Sequence, residues 1–150
     1  MLIHTQSHKQ LLLYLVLSKL KIVYVVFENV SKQAENMLLQ LGTSSGIVTT
    51  GYSFRTGYAG GANAAGSESS SVGFVTGGAA GNTTYISGAF TIYNLRDYVY
   101  VGTLTAGRLE SAYGISGGGD VDLSGQLTQV KLSNTSGGAF DSGYFNVMWV

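Results

Sequence analysis

Histidine is the first residue to ask about chemistry, and this chain has it only at His4 and His8. Their i, i+4 spacing would suit a metal ion on a helix, but the surrounding polar stretch offers no acidic partner, so no metal site is expected there. Asp120-Val-Asp122 places two carboxylates on the same side of an extended segment, beside three glycines. Calcium wants about six to eight oxygens, so the pair reads as a solvated turn rather than a cation corner. A Ser–His–Asp set is arithmetically possible among so many serines, but it is not expected, and no phosphate-binding or dinucleotide-binding glycine fingerprint occurs. With no cysteine, thiolate metal sites and disulfides are excluded. The chain reads as non-enzymatic and without a cofactor. Asn29-Val-Ser, Asn82-Thr-Thr and Asn134-Thr-Ser match the glycosylation pattern, as chance allows in a chain this rich in Ser and Thr.

The residues best suited to contact are aromatic. Tyr52, Phe54, Arg55, Tyr58 and Tyr85 flank flexible Gly and Ala, and Tyr with Arg is the pairing enriched at recognition surfaces, including sugar and protein contacts. The competing structural explanation is that these rings plug the end of the fold or pack between subunits.

The elements that must position them are strands. Ile22-Val-Tyr-Val-Val-Phe27, Met37 to Leu41 and Ile47 to Tyr52 are β-branched, aliphatic or aromatic runs, separated by a polar link over 28–36 and the turn Gly42-Thr-Ser-Ser-Gly46. Leu11 to Leu17 is apolar throughout and reads as a buried strand or short helix. It is too short to span a membrane, and Ser18-Lys19-Leu20-Lys21 follows it instead of a small-residue cleavage site. Residues Met1 to Gln10 read as a polar arm, so that 1–20 form an arm with a first apolar strand and 21–150 a single β domain. Segment 53–82 is dominated by Gly, Ala and Ser and is expected to be a long loop with one strand inserted, Val72 to Thr76. Ala89 to Tyr93 and Tyr98 to Leu104 form a hairpin around Asn94-Leu-Arg-Asp97. Leu109 to Ile115 is a weaker strand ended by the following glycines, and Gln126 to Leu132 another. In Gly143 to Val150 the side chains of Phe145, Val147 and Trp149 share one face, which predicts a paired, buried C-terminal strand.

That pattern of eight to ten short strands without helical periodicity argues for an all-β, antiparallel β-sandwich, jelly-roll-like. A chain of 150 residues buries roughly 70% of its unfolded surface, enough for a core without staples. Only 11% of residues are charged, against about 25% in average proteins, so the surface must be covered largely by Ser, Thr, Asn and Gly. Eight basic and eight acidic residues cancel, which leaves no electrostatic footprint for nucleic acid or an anionic membrane. Ile22 to Phe27 is apolar on both parities, as expected of a sheet covered on both faces by a sandwich within an oligomer.

Leu41-Gly42-Thr-Ser-Ser-Gly46-Ile-Val-Thr-Thr-Gly51-Tyr52, the preceding Tyr24-Val-Val-Phe-Glu-Asn-Val-Ser31 and the closing Phe140-Asp141-Ser142-Gly143-Tyr-Phe-Asn-Val-Met-Trp-Val resemble the C-terminal β-sandwich domains of tailed-bacteriophage virion proteins, chiefly tail fibres and other appendage proteins. The similarity runs from about Lys21 onward. It implies a structural module in the virion, often a homotrimer, docked on other virion proteins and sometimes touching a host-surface glycan or receptor, with no catalytic residues to carry over. The module begins close to Met1, without the upstream anchoring domain of fibre versions, which also fits a head or tail decoration protein.

Overall fold

The computed structural model describes residues 5–6, 11–14, 21–32, 36–60, 64–77, 85–108, 110, 112–136 and 140–150. In chain order the strands are β1 (Thr5–Gln6), β2 (Leu11–Tyr14), β3 (Ile22–Lys32), β4 (Met37–Thr43) and β5 (Gly46–Ile47). Then follow β6 (Ser53–Gly60), β7 (Ala64–Ser70), β8 (Phe74–Val75) and β9 (Tyr85–Arg96). The chain closes with β10 (Val99–Arg108), β11 (Tyr113–Asp122), β12 (Gln129–Asn134) and β13 (Phe140–Trp149).

The strands build two antiparallel sheets packed as a β-sandwich. The larger has the order β1-β13-β3-β9-β10-β11-β6-β7; the smaller has the order β2-β12-β4-β5, with β8 also paired to β4. One apolar core lies between them. Val23, Val25, Phe27, Phe90, Ile92, Leu104 and Phe145 enter it from the larger sheet, and Met37, Leu39, Leu41, Phe74, Val130 and Leu132 from the smaller.

The sheets are joined by rings set against glycine. Phe74 of β8 packs edge-on against Tyr52 and Phe54, with ring centroids 5.2 and 5.0 Å away. Its ring lies over Gly102 of β10, where a Cβ would stand 2.7 Å from the ring. Bare backbone there lets an aromatic residue of one sheet reach the floor of the other, which a packed core cannot otherwise accommodate.

Several expectations need correction. The supposed loop after Tyr52 is the hairpin β6–β7, paired from Phe54↔Ser70 to Gly60↔Ala64. Its signal is the alternation of buried Phe54 and Thr56 with exposed Ser53, Arg55 and Gly57, masked by an overall Gly/Ala/Ser composition. The inserted strand shrinks to Phe74–Val75. β11 runs through Gly117-Gly118-Gly119 instead of ending before it, because those glycines pair with Leu104-Thr103-Gly102 on one side and Thr56-Arg55-Phe54 on the other. β3 continues to Lys32 across part of the polar link, absorbing the change of register at a bulge where Asn29 takes φ 49°. Within the terminal arm, Thr5–Gln6 pairs with Tyr144 and Phe145. Leu11–Tyr14 pairs with β12, while Leu15 to Leu17 lie outside the described residues. Among the described residues there are thirteen strands, several of two residues, where eight to ten are expected.

The C-terminal strand is paired as expected. Phe145 and Val147 are buried, Trp149 is half-buried against the core, and the Val150 backbone exchanges hydrogen bonds with Ile22. Deleting 146–150 removes the pairing of β13 with Val23 to Val26. Lost burial of Val147 and Trp149, at roughly 1.5–3 kcal/mol for a fully buried side chain, combines with ladder hydrogen bonds of about 1 kcal/mol each. The sum is a large part of a typical stability of roughly 5–15 kcal/mol. The truncated chain is expected in the insoluble fraction, and a soluble product with an unchanged melting temperature would contradict this assignment. Gly102→Val, which drives a side chain into the Phe74 ring, is expected to cost about 1–3 kcal/mol in chemical denaturation.

Candidate interaction surface

The smaller sheet covers the inner face of the larger one. Nothing among the described residues covers the outer face, where strand alternation fixes the composition. On β3, Val23, Val25 and Phe27 point inward, so Ile22, Tyr24, Val26 and Glu28 point out. Register carries each across the sheet. Met148, Tyr24, Thr91, Thr103, Gly118, Arg55 and Ser69 form one outward row from β13 to β7. The rows on either side run from Ile22 through Tyr93 and Val101 to Asp120 and Ser53, and from Val26 through Ala89, Thr105 and Ser116 to Gly57.

The face is divided. Its β13-β3-β9 half carries Tyr93 and Met148, each 41% exposed, Val26, 36% exposed, and half-buried Tyr24 and Ile22. Its β11-β6-β7 half presents only Gly, Ala and Ser apart from Arg55 and Asp120 at the three shared rows and the row beyond them. The sequence signal for the apolar half was the run Ile22 to Phe27, apolar on both parities.

The five aromatic and basic candidates do not form one surface. Tyr52 and Phe54 are in the core, 4% and 2% exposed. The Leu41 amide donates to the Tyr52 hydroxyl at 2.8 Å, and that hydroxyl donates to the Val48 carbonyl at 3.1 Å, which ties the β4–β5 hairpin to the start of β6. Arg55 stands on the outer face. Tyr58 is half-buried on the inner side, its ring 6.1 Å from that of Tyr113, over which the Arg108 guanidinium lies at 4.9 Å. Tyr85 is exposed, and its amide donates to the Glu110 carboxylate at 3.0 Å. Tyr52 and Phe54 therefore serve packing within the core.

The polar constellations stay dispersed. Asp120 and Asp122 point outward from β11, with Asp122 accepting from the Ser124 amide at 2.8 Å. Among the described residues no three His, Asp or Glu side chains gather as metal ligands; His4 and His8 lie outside them. The pattern Gly-x-Ser-x-Gly does occur, at Gly42-Thr-Ser-Ser-Gly46 and Gly114-Ile-Ser-Gly-Gly118. The first is a hairpin turn and the second lies within β11, so neither presents its serine on the strand-to-helix elbow that the hydrolase pattern requires. No known protein family, curated protein or solved structure matches this chain.

Burial pushes the Tyr52 hydroxyl up to about 12 from 10.0, with the Leu41 amide partly offsetting it. The folded state thus holds a proton that the unfolded chain releases above pH 10. The stabilisation from this group is complete below pH 10 and drains away as pH rises toward 12, to the extent of ~3 kcal/mol. Tyr52→Phe cannot ionise there. Relative to wild type, the variant is expected to be less stable at pH 8 by about 1–3 kcal/mol, from the unpaired Leu41 amide, and to lose less stability between pH 10 and 12. Urea titrations at the three pH values check both; parallel pH profiles for the two proteins would refute the assignment.

Proposed function

We propose that this chain is a non-enzymatic structural component of a bacteriophage virion, of the tail-fibre or appendage kind, that works by associating with copies of itself and with other virion proteins. The observation that carries the self-association is the outer face of the larger sheet, where Tyr24, Val26, Tyr93 and Met148 stand side by side with no layer over them among the described residues. A patch of this kind marks an interaction site more often than an accident of composition. A surface with few charges and a net charge of zero offers little repulsion between copies.

The virion assignment draws on the resemblance of the Leu41 to Tyr52 segment, and the geometry gives that segment a structural meaning. Gly46 and Gly51 take φ of 127° and 83°, and Tyr52 closes the turn back onto Leu41. These are fold-determining residues, as suits a module whose work is assembly. Trimer is the stoichiometry that the resemblance implies.

Multi-angle light scattering of the purified chain between 1 and 100 µM, concentrations on the order of those where such assemblies persist, tests the reading. A mass that is a multiple of 15.7 kDa is expected, and a monomer over the whole range would overturn it.

A further inference from the structure

The outer face has a symmetry that its division into halves makes visible. Leaving aside the two-residue β1, strand β10 is the middle of the larger sheet, with β9, β3 and β13 on one side and β11, β6 and β7 on the other. Across the shared rows Tyr24, Val26, Tyr93 and Met148 project from the first three, and apart from Arg55 and Asp120 only small side chains from the last three. We propose that two copies of this chain pair through these outer faces about a two-fold axis lying between them along β10. The inference rests on the self-association proposed above and names its surface, with a two-fold pairing in place of the trimer that the resemblance implies.

A two-fold axis along β10 lays each strand of the large half over the strand equally distant from β10 in the small half of the second copy, row for row. Val26 then meets Gly57, Met148 meets Ser69 and Thr91 meets Gly118, so each projection faces a low position. Tyr24 faces Arg55, a cation–π pairing, and Tyr93 faces Asp120, whose carboxylate accepts from a phenol. Glu28 lies at the β3 bulge, outside these rows. Within them the charges, Arg55 and Asp120, meet no like charge across the axis, and Asp122, one row beyond Asp120, comes level with Arg96 of the second copy. An isologous contact demands this kind of self-complementarity, which a patch evolved for an unrelated partner has no reason to show.

Size agrees as well. Seven strands about 4.8 Å apart span roughly 29 Å, and the outward rows from Ile22 to Glu28 span about 20 Å, a footprint on the order of 600 Å² before side-chain relief is counted. A stable interface takes about 800 Å² from each partner, so the whole face is needed and the apolar half alone would be too small. The large half supplies apolar contact and the Ser- and Gly-rich half supplies the seat.

The test uses the full chain. In light scattering the wild type is expected at twice 15.7 kDa. Tyr24→Lys, which removes the ring from Arg55 and sets an ammonium against that guanidinium, is expected to return the mass to that of one chain. Gly57→Trp fills the seat of Val26 from a position with nothing within 4 Å, so it leaves the fold intact and is also expected to give a monomer. Ser44→Glu, on the exposed turn of the smaller sheet, is expected to remain a dimer. Because the chain has no cysteine, Thr103→Cys places a single thiol on the axis. A bis-maleimide reaching about 10 Å, the spacing of packed sheets, is expected to join two such chains, and not two Ser45→Cys chains. A wild-type monomer overturns both this pairing and the proposed self-association. A wild-type oligomer whose mass survives Tyr24→Lys and Gly57→Trp, a wild-type trimer, or a Thr103→Cys dimer that fails to cross-link overturns the pairing alone.

Discussion

The structure depends on one contact between layers, the Phe74 ring held against Tyr52, Phe54 and the bare backbone of Gly102. β8 is only two residues long, too short to hold a sheet together through its ladder, yet Phe74 is fully buried. Aromatic burial with edge-on geometry replaces what longer strands would contribute. The requirement propagates across the sheet. An aromatic ring that reaches the floor of the opposite layer needs glycine beneath it; within the larger sheet Gly117 likewise leaves room for its β6 neighbours, a Cβ there standing 2.6 Å from the Thr56 methyl and 3.0 Å from the Phe54 ring.

A second constraint fixes the chain on its way to that joint. Between Leu41 and Tyr52 the backbone reverses and returns within a dozen residues, and the reversal closes on a single hydroxyl that accepts from the Leu41 amide and donates to the Val48 carbonyl. A buried phenol with both hydrogen-bonding roles filled is favourable only while it keeps its proton, which is why desolvation raises its pKa so far. The same side chain then offers its ring to Phe74. Tyr52 thus couples turn geometry to sheet packing, and the Leu-Gly and Gly-Tyr pairs that end the motif are two sides of one joint.

Much of this architecture was legible in the sequence because hydrophobic alternation survives without knowledge of the partner strand. Phe145 and Val147 could be placed inward by parity alone, whereas in Ile22 to Phe27, apolar on both parities, the run marks a strand without saying which face turns inward. Strands built from Gly, Ala and Ser could not. β7 reads Ala-Ala-Gly-Ser-Glu-Ser-Ser and carries no apolar period, and its strand character comes from pairing with β6. β11 is drawn through three successive glycines for the same reason, since neighbours on both sides supply the ladder that its own propensity does not. The contact residues were misjudged by a related route. Tyr52 and Phe54 stand near Gly51 and Gly57, which suggested an exposed loop, whereas Gly51 forms a turn at φ 83° and both rings are buried.

Glycine-rich β11 also shapes the outside of the sheet. Its inward Gly117 and Gly119 make room for the core, but the pleat then places Gly114, Ser116 and Gly118 outward, so the demands of packing within produce a low surface without. β3 runs the other way. Folding requires only the inward parity of Ile22 to Phe27, and the core is complete with Val23, Val25 and Phe27 in place. Tyr24, Val26 and their neighbours Tyr93 and Met148 add nothing to that core and carry a solubility cost in a chain with few charges to offset it. The inner face of the larger sheet answers to the sandwich, while the outer face carries the large and small halves on which the proposed pairing of two copies rests.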